Sequence, residues 1–130
     1  CHWFTVDDLN HLKRGGRVST ATALVGTMLG IKPILAVMEG KVALAGKARG
    51  LPGVYVALFK KIDEMGGIHP GYTPLLGYTV NHRELQPLLT YLQDNLQCAE
   101  PLVRQIGCAI GTHAGPGAFG LAFFDQGLEL

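Results

Sequence analysis

The sequence predicts an α/β fold, a two-layer arrangement in which helices pack on a mixed or largely antiparallel sheet of about five to six strands. Three observations carry that expectation. Short runs rich in β-branched and aromatic residues alternate with runs whose apolar residues recur at three and four. The 18 glycines and 7 prolines fall between those runs and punctuate them. At 130 residues and 48% hydrophobic, the chain is one domain's worth of polypeptide, long enough for a single core.

The elements follow in order. His2–Val6 (HWFTV) has the content of a short strand, and Asp7 or Asp8 can cap a helix in which Leu9 and Leu12 share a face. Gly15 and Gly16 stop it. Ser19 is placed to cap a second helix reaching about Leu29, with Ala21, Leu24, Val25, Met28 and Leu29 as its apolar face. Residues 32 to 38 and 41 to 45 read as a hairpin with Glu39-Gly40 as its turn. In VYVALFKKIDEMG, the residues Ala57, Leu58, Lys61, Ile62 and Met65 recur at helical spacing, so a helix is expected there. GGIHPGYTP is a loop and LLGYTV a strand ending near Asn81. Pro87 suits the first position of a helix that presents Leu88, Leu89, Leu92 and Leu96. Residues 105 to 112 and 117 to 124 are expected as two final strands, joined directly by the turn in THAGPG.

Several function classes are disfavoured. No run approaches the roughly 18 apolar residues of a membrane span, and the first apolar stretch is broken by Asp7 and Asp8, unlike a signal peptide. Residues 1 to 61 hold nine Lys/Arg against three Asp/Glu, and residues 62 to 130 hold two against seven. A basic half of that kind suits an anionic ligand or an acidic partner. Its positives are not grouped with aromatics or in a reading helix, so nucleic acid is not expected as a partner. Cys1, Cys98 and Cys108 form no metal pattern, and no HxH or HExxH spacing is present, so neither metal nor cofactor is expected. An odd, unframed set of cysteines fits reduced thiols and a cytoplasmic protein. A chain that starts at a cysteine and leads at once into a strand reads as part of a longer protein.

Two segments invite a chemical reading. In KRGGRVS (13 to 19) the paired glycines allow a sharp turn that brings Arg17 to a helix start, where free N–H groups favour an anion; its guanidinium fork fits a carboxylate. The alternative is a plain loop, with Arg17 solvated or paired with Asp7 or Asp8. In THAGPG (112 to 117), His113 stands at what reads as a strand exit, either facing a ligand or closing the turn. Ser19 lacks a nucleophile elbow and nothing places an acid beside His113, so a hydrolytic triad is not expected. The abundant apolar side chains around glycine form either a packed core or a pocket for an aliphatic ligand.

Three segments, FTVDDLNHLKRGGRVS (4 to 19), LGIKPILAVMEGKVALAGKARG (29 to 50) and IGCAIGTHAGPGAFGLAFF (106 to 124), resemble the DegV family of lipid-binding proteins. The GGR turn, the IKPIL strand and the HxGPG turn are all present, with Ala114 where the family usually has threonine. The resemblance covers essentially residues 1 to 130, read as the C-terminal, acyl-chain-binding domain, and the family's N-terminal domain is expected to be missing from this chain. It implies that one long-chain fatty acid is bound, its carboxylate near Arg17 and His113, and presented to a fatty acid kinase that phosphorylates it. It implies no catalytic turnover by the binder itself. Gly16, Ser19, Thr112 and Gly115 complete the candidate ligand-binding set. A second domain or chain is expected to cover the carboxylate. The competing expectations are a small-molecule enzyme with His113 as general base, and a structural or partner-binding domain with no ligand.

Overall fold

A computed structural model of the chain describes residues 2–7, 9–16, 30–95 and 100–126. The strands are β1 (His2–Thr5), β2 (Ile31–Met38), β3 (Lys41–Arg49), β4 (Leu75–Tyr78), β5 (Leu102–Gln105) and β6 (Phe119–Ala122). The helices are α1 (Asn10–Arg14), α2 (Gly50–Glu64), α3 (Gln86–Asn95) and α4 (Cys108–Ala114), with a 3-10 turn at His82–Leu85 before α3. The strands form one six-stranded sheet in the order β3-β2-β1-β6-β4-β5. Every pair is antiparallel except β4 and β5. The expected α/β fold is therefore present, as a mixed sheet.

The β2–β3 hairpin turns where the sequence indicated. Glu39 and Gly40 both take positive φ, 52° and 76°, as a type I′ turn requires. Pro33 lacks a ladder donor inside β2, and the register slips just after it, between Ile34 and Leu35. The Thr5 hydroxyl, buried, donates to the Pro33 carbonyl at 2.8 Å and ties the two strands there.

One face of the sheet carries the larger core. Ile34, Leu76, Phe119 and Leu121 from the strands meet Val54, Leu58 and Ile62 of α2, Leu85, and Leu88 and Leu92 of α3. The i, i+4, i+8 spacing of the three α2 residues puts them on one stripe. Phe59 of α2 stacks on Tyr91 of α3 with ring centroids 4.1 Å apart. The opposite face holds a smaller cluster, in which Val6, Leu9, Leu12, Leu35, Ala114 and Ala118 are buried with Phe4, Val42 and Leu44 against them.

The structure corrects the sequence reading in its last third. Residues 108–114 are helix α4, not strand, and the preceding strand is Leu102–Gln105. β5 and β6 are not a hairpin: β4 lies between them, parallel to β5 and antiparallel to β6. A short apolar run such as CAIGT carries no decisive period, and Gly107, extended at ψ 161°, breaks the strand and starts the helix. The helix expected from Ser19 to Leu29 lies outside the described residues, as does Leu96.

Candidate functional site

On the face opposite α2 and α3 the sheet leaves an open apolar groove of about 1230 Å³, somewhat above the roughly 300–1,000 Å³ of ordinary small-molecule pockets. Its floor follows from the register. Leu44, Leu35, Phe4, Gly120, Gly77 and Arg104 pair in turn across β3, β2, β1, β6, β4 and β5, so they point to the same side. On the β3 half of that row the side chains are large. On the β6–β4 half there are two glycines. A side chain at Gly120 would collide with Phe4 and the Trp3 carbonyl, and one at Gly77 would meet Ile106 at 3.2 Å. These glycines let the strands and Ile106 close up, so Ile106 forms part of the wall.

His113, Gly16 and Ile110 line the groove together with Val37, Lys41 and Leu75; Lys41 and Leu75 open β3 and β4, whereas His113 ends α4 beside the turn that Thr79 binds just past the far end of β4. His113 lies in the last turn of α4, not at a strand exit. Its imidazole rests directly on the backbone of Gly15, where any Cβ would collide with Nδ1. The two glycine turns singled out in the sequence therefore touch, although 98 residues separate Gly15 from His113. Among the described residues no carboxylate forms an ion pair with His113.

The other candidates divide. Gly16 borders the groove with φ 72° and donates its N–H to the Lys13 carbonyl. Thr112 is exposed, and its hydroxyl donates back to the Cys108 carbonyl at 2.7 Å. Gly115 is buried, with φ 81°; its N–H bonds the Gly111 carbonyl and its own carbonyl accepts from Thr79. Gly115 thus shapes the turn and does not line the groove. Arg17 and Ser19 lie outside the described residues.

Two carboxylates stand near the turn, Asp7 and Glu84, and the sequence singled out only the first. Asp7 pairs with Lys32 at 2.6 Å, and its carboxyl lies against Gly117, where a Cβ would come within 2.6 Å of it. With φ 80° as well, position 117 has two independent reasons to be glycine. Glu84, in the 3-10 turn, has a carboxyl oxygen that is buried without a hydrogen-bond partner among the described residues. Burial raises its pKa from the ordinary glutamate value, the Asp7 charge raises it further, and Lys32 opposes the rise. Tyr55 donates to the Glu84 backbone carbonyl at 2.7 Å. Burial, then the Glu84 charge, raises the Tyr55 pKa.

No cluster of His, Cys, Asp and Glu among the described residues can hold a metal ion. No helix there is long and apolar enough to cross a membrane.

Compared with known protein families, residues 1–126 match the DegV family, described as uncharacterised proteins. The chain belongs to the DegV family. It is 32% identical over 130 residues to a DegV domain-containing protein of Clostridium perfringens, covering 99% of this chain and 45% of that protein. Among solved structures it is similar to a DegV family protein from Thermus thermophilus described by its fatty acid binding. That similarity has TM-score 0.83 and 32% identity, over 93% of this chain and 44% of the other. The Streptococcus pneumoniae fatty acid kinase B3 protein, loaded with linoleic acid, shares the fold: TM-score 0.86 at 19% identity, over 96% of this chain and 44% of that one. The chain thus spans less than half the length of the relatives it matches.

Proposed function

We propose that this DegV chain shelters the acyl tail of one long-chain fatty acid in the groove, with the carboxylate at the His113 end. The observation that carries the reading is the meeting of His113 with the Gly15–Gly16 turn at one end of an apolar groove. Arg17 follows that turn directly in the sequence and supplies the cation. The fatty-acid binding named for the Thermus thermophilus protein supports the same ligand here. Each buried methylene is worth roughly 0.8 kcal/mol, so a sixteen-carbon tail supplies on the order of 10 kcal/mol before the costs of binding. The head group then contributes orientation and selection against neutral lipids.

A carboxylate at an open mouth keeps its water on one side. A further domain, matching the half of the relatives that this chain does not span, covers it in this reading. The likeness to a fatty acid kinase B3 protein supports presentation of the acid to a partner kinase as the role, with no turnover by the binder. A free, exposed Cys108 is in keeping with a cytoplasmic carrier.

The test is native mass spectrometry of the protein as purified, followed by titration with palmitate and hexadecanol. Bound C14–C18 acid is expected. His113→Ala and Arg17→Ala should each weaken palmitate more than hexadecanol, by about tenfold for a charge-assisted contact. Equal losses for acid and alcohol in both variants would refute the carboxylate clamp.

A further inference from the structure

α4 is poorly anchored for a helix that carries a ligand-facing residue. Of its seven residues only Ala114 is buried, and Cys108, Ala109, Ile110 and Thr112 are exposed, Ile110 to 67%. Packing alone does not fix such an element. The turn after it, Gly115–Ala118, has two glycines at positive φ and a proline with no donor between them. Among the described residues, one residue outside the turn, Thr79, makes the side-chain hydrogen bonds to it. The Thr79 hydroxyl, just past β4, faces the Gly115 carbonyl at 3.0 Å and the Ala118 carbonyl at 3.3 Å, and accepts from the Ala118 N–H at 3.1 Å. The Thr79 N–H donates to the Ala118 carbonyl at 3.0 Å, and the Gln105 side chain donates to the Thr79 carbonyl at 3.0 Å. Thr79 therefore binds both ends of the turn and is itself held from β5.

We propose that Thr79 is the positioning residue for His113, holding the C-terminal end of α4 so that the imidazole stays on Gly15 at the groove mouth. The proposal rests on the reading of His113 as a carboxylate contact. The hydroxyl is needed because it serves as donor and acceptor at once. A valine of the same shape leaves the Gly115 carbonyl and the Ala118 N–H without that partner in a half-buried place. Serine keeps both bonds. Thr79 touches no ligand in this scheme and acts only through the turn.

The experiment compares the palmitate-to-hexadecanol affinity ratio in wild type, Thr79→Val, Thr79→Ser and His113→Ala. The His113 ring resonances are followed by NMR in the three proteins that retain the histidine. Thr79→Val is expected to lower the ratio about tenfold, the equivalent of one to two lost hydrogen bonds, and to move the His113 resonances. Hexadecanol affinity should stay unchanged, and Thr79→Ser should restore both readouts. A wild-type ratio and unmoved His113 signals in Thr79→Val overturn the positioning role, even while His113→Ala loses its preference for the acid. If His113→Ala keeps the wild-type ratio, the carboxylate reading itself falls, and Thr79 is then judged by the ring resonances alone. Thr79→Ala serves as the second variant if Thr79→Val does not fold.

Discussion

On β4 and β6 the two faces of the sheet are made one residue out of step, and there they differ in side-chain size more than in polarity. On the face under α2 and α3, Leu76, Phe119 and Leu121 are 0%, 0% and 4% exposed and fill the space to the helices. Their immediate neighbours Gly77, Gly120 and Ala122 point the other way and line the groove. A large residue followed by a small one is thus a core position followed by a piece of groove floor. Both faces are apolar, so hydropathy does not distinguish them. Along β4 and β6, volume does.

The largest expected effect tests that difference directly. Phe119→Ala removes a fully buried ring from the covered face and should cost about 3–5 kcal/mol of unfolding free energy. Leu44→Ala, on a groove wall that is only half-buried, should cost less than about 2 kcal/mol and weaken palmitate binding. Denaturant unfolding and a titration measure the two. If Leu44→Ala destabilises as much as Phe119→Ala and leaves binding alone, the groove face is simply a second core and the comparison fails.

How much of this could be read from the residues depends on how local each signal is. The Glu39-Gly40 hairpin and the α2 stripe were legible because turn chemistry and a helical period act within a few residues. The α4 segment was not. CAIGTHA is short and buries only Ala114, so its helical state is decided by Gly107 and by docking near α1, neither of which leaves a period. β5 was missed because LVRQ is a short edge strand of mixed polarity, placed by parallel pairing with β4. At the site, the residues pointed to Arg17 and His113 as separate possibilities, and only the family resemblance joined them. The contact that joins His113 to the glycine turn spans 98 residues, beyond the reach of any spacing rule. Thr79 carried no signal at all. A threonine after a strand is ordinary until the turn it ties is in view.

A middle-sized effect separates the two adjacent glycines at the groove mouth. Gly16 sits at φ 72° with no described residue near its Cβ position, whereas the strain of a side chain at Gly15 comes from the His113 imidazole. Gly16→Ala should therefore cost about 1–2 kcal/mol of stability through its left-handed backbone. Gly15→Ala should shift stability by less than about 1 kcal/mol, yet displace His113 and reduce palmitate affinity relative to hexadecanol. Thermal unfolding and the same paired titration check both. A Gly15→Ala protein with wild-type selectivity would show that the imidazole contact is packing without consequence for the ligand.

The smallest effect concerns charge at the border of the covered face. Glu84 is partly buried beside Leu85, its buried carboxyl oxygen lacks a partner among the described residues, and burial is the main reason its pKa is raised. A folded-state pKa above the unfolded value means that the native protein binds the proton more tightly. The stability contribution is then greatest below the ordinary carboxylate pKa and is lost as pH rises through the raised value. Asp7 adds to the effect and Lys32 opposes it. Glu84→Gln, which mimics the protonated carboxyl, should raise the melting temperature slightly at neutral pH and give no advantage in acid. The Tyr55 bond survives the substitution because it is made to the backbone carbonyl. Identical melting curves for the two proteins from acid to neutral pH would mean that Glu84 is solvated after all. The covered face would then seal less completely at its edge than the large residues of its interior suggest.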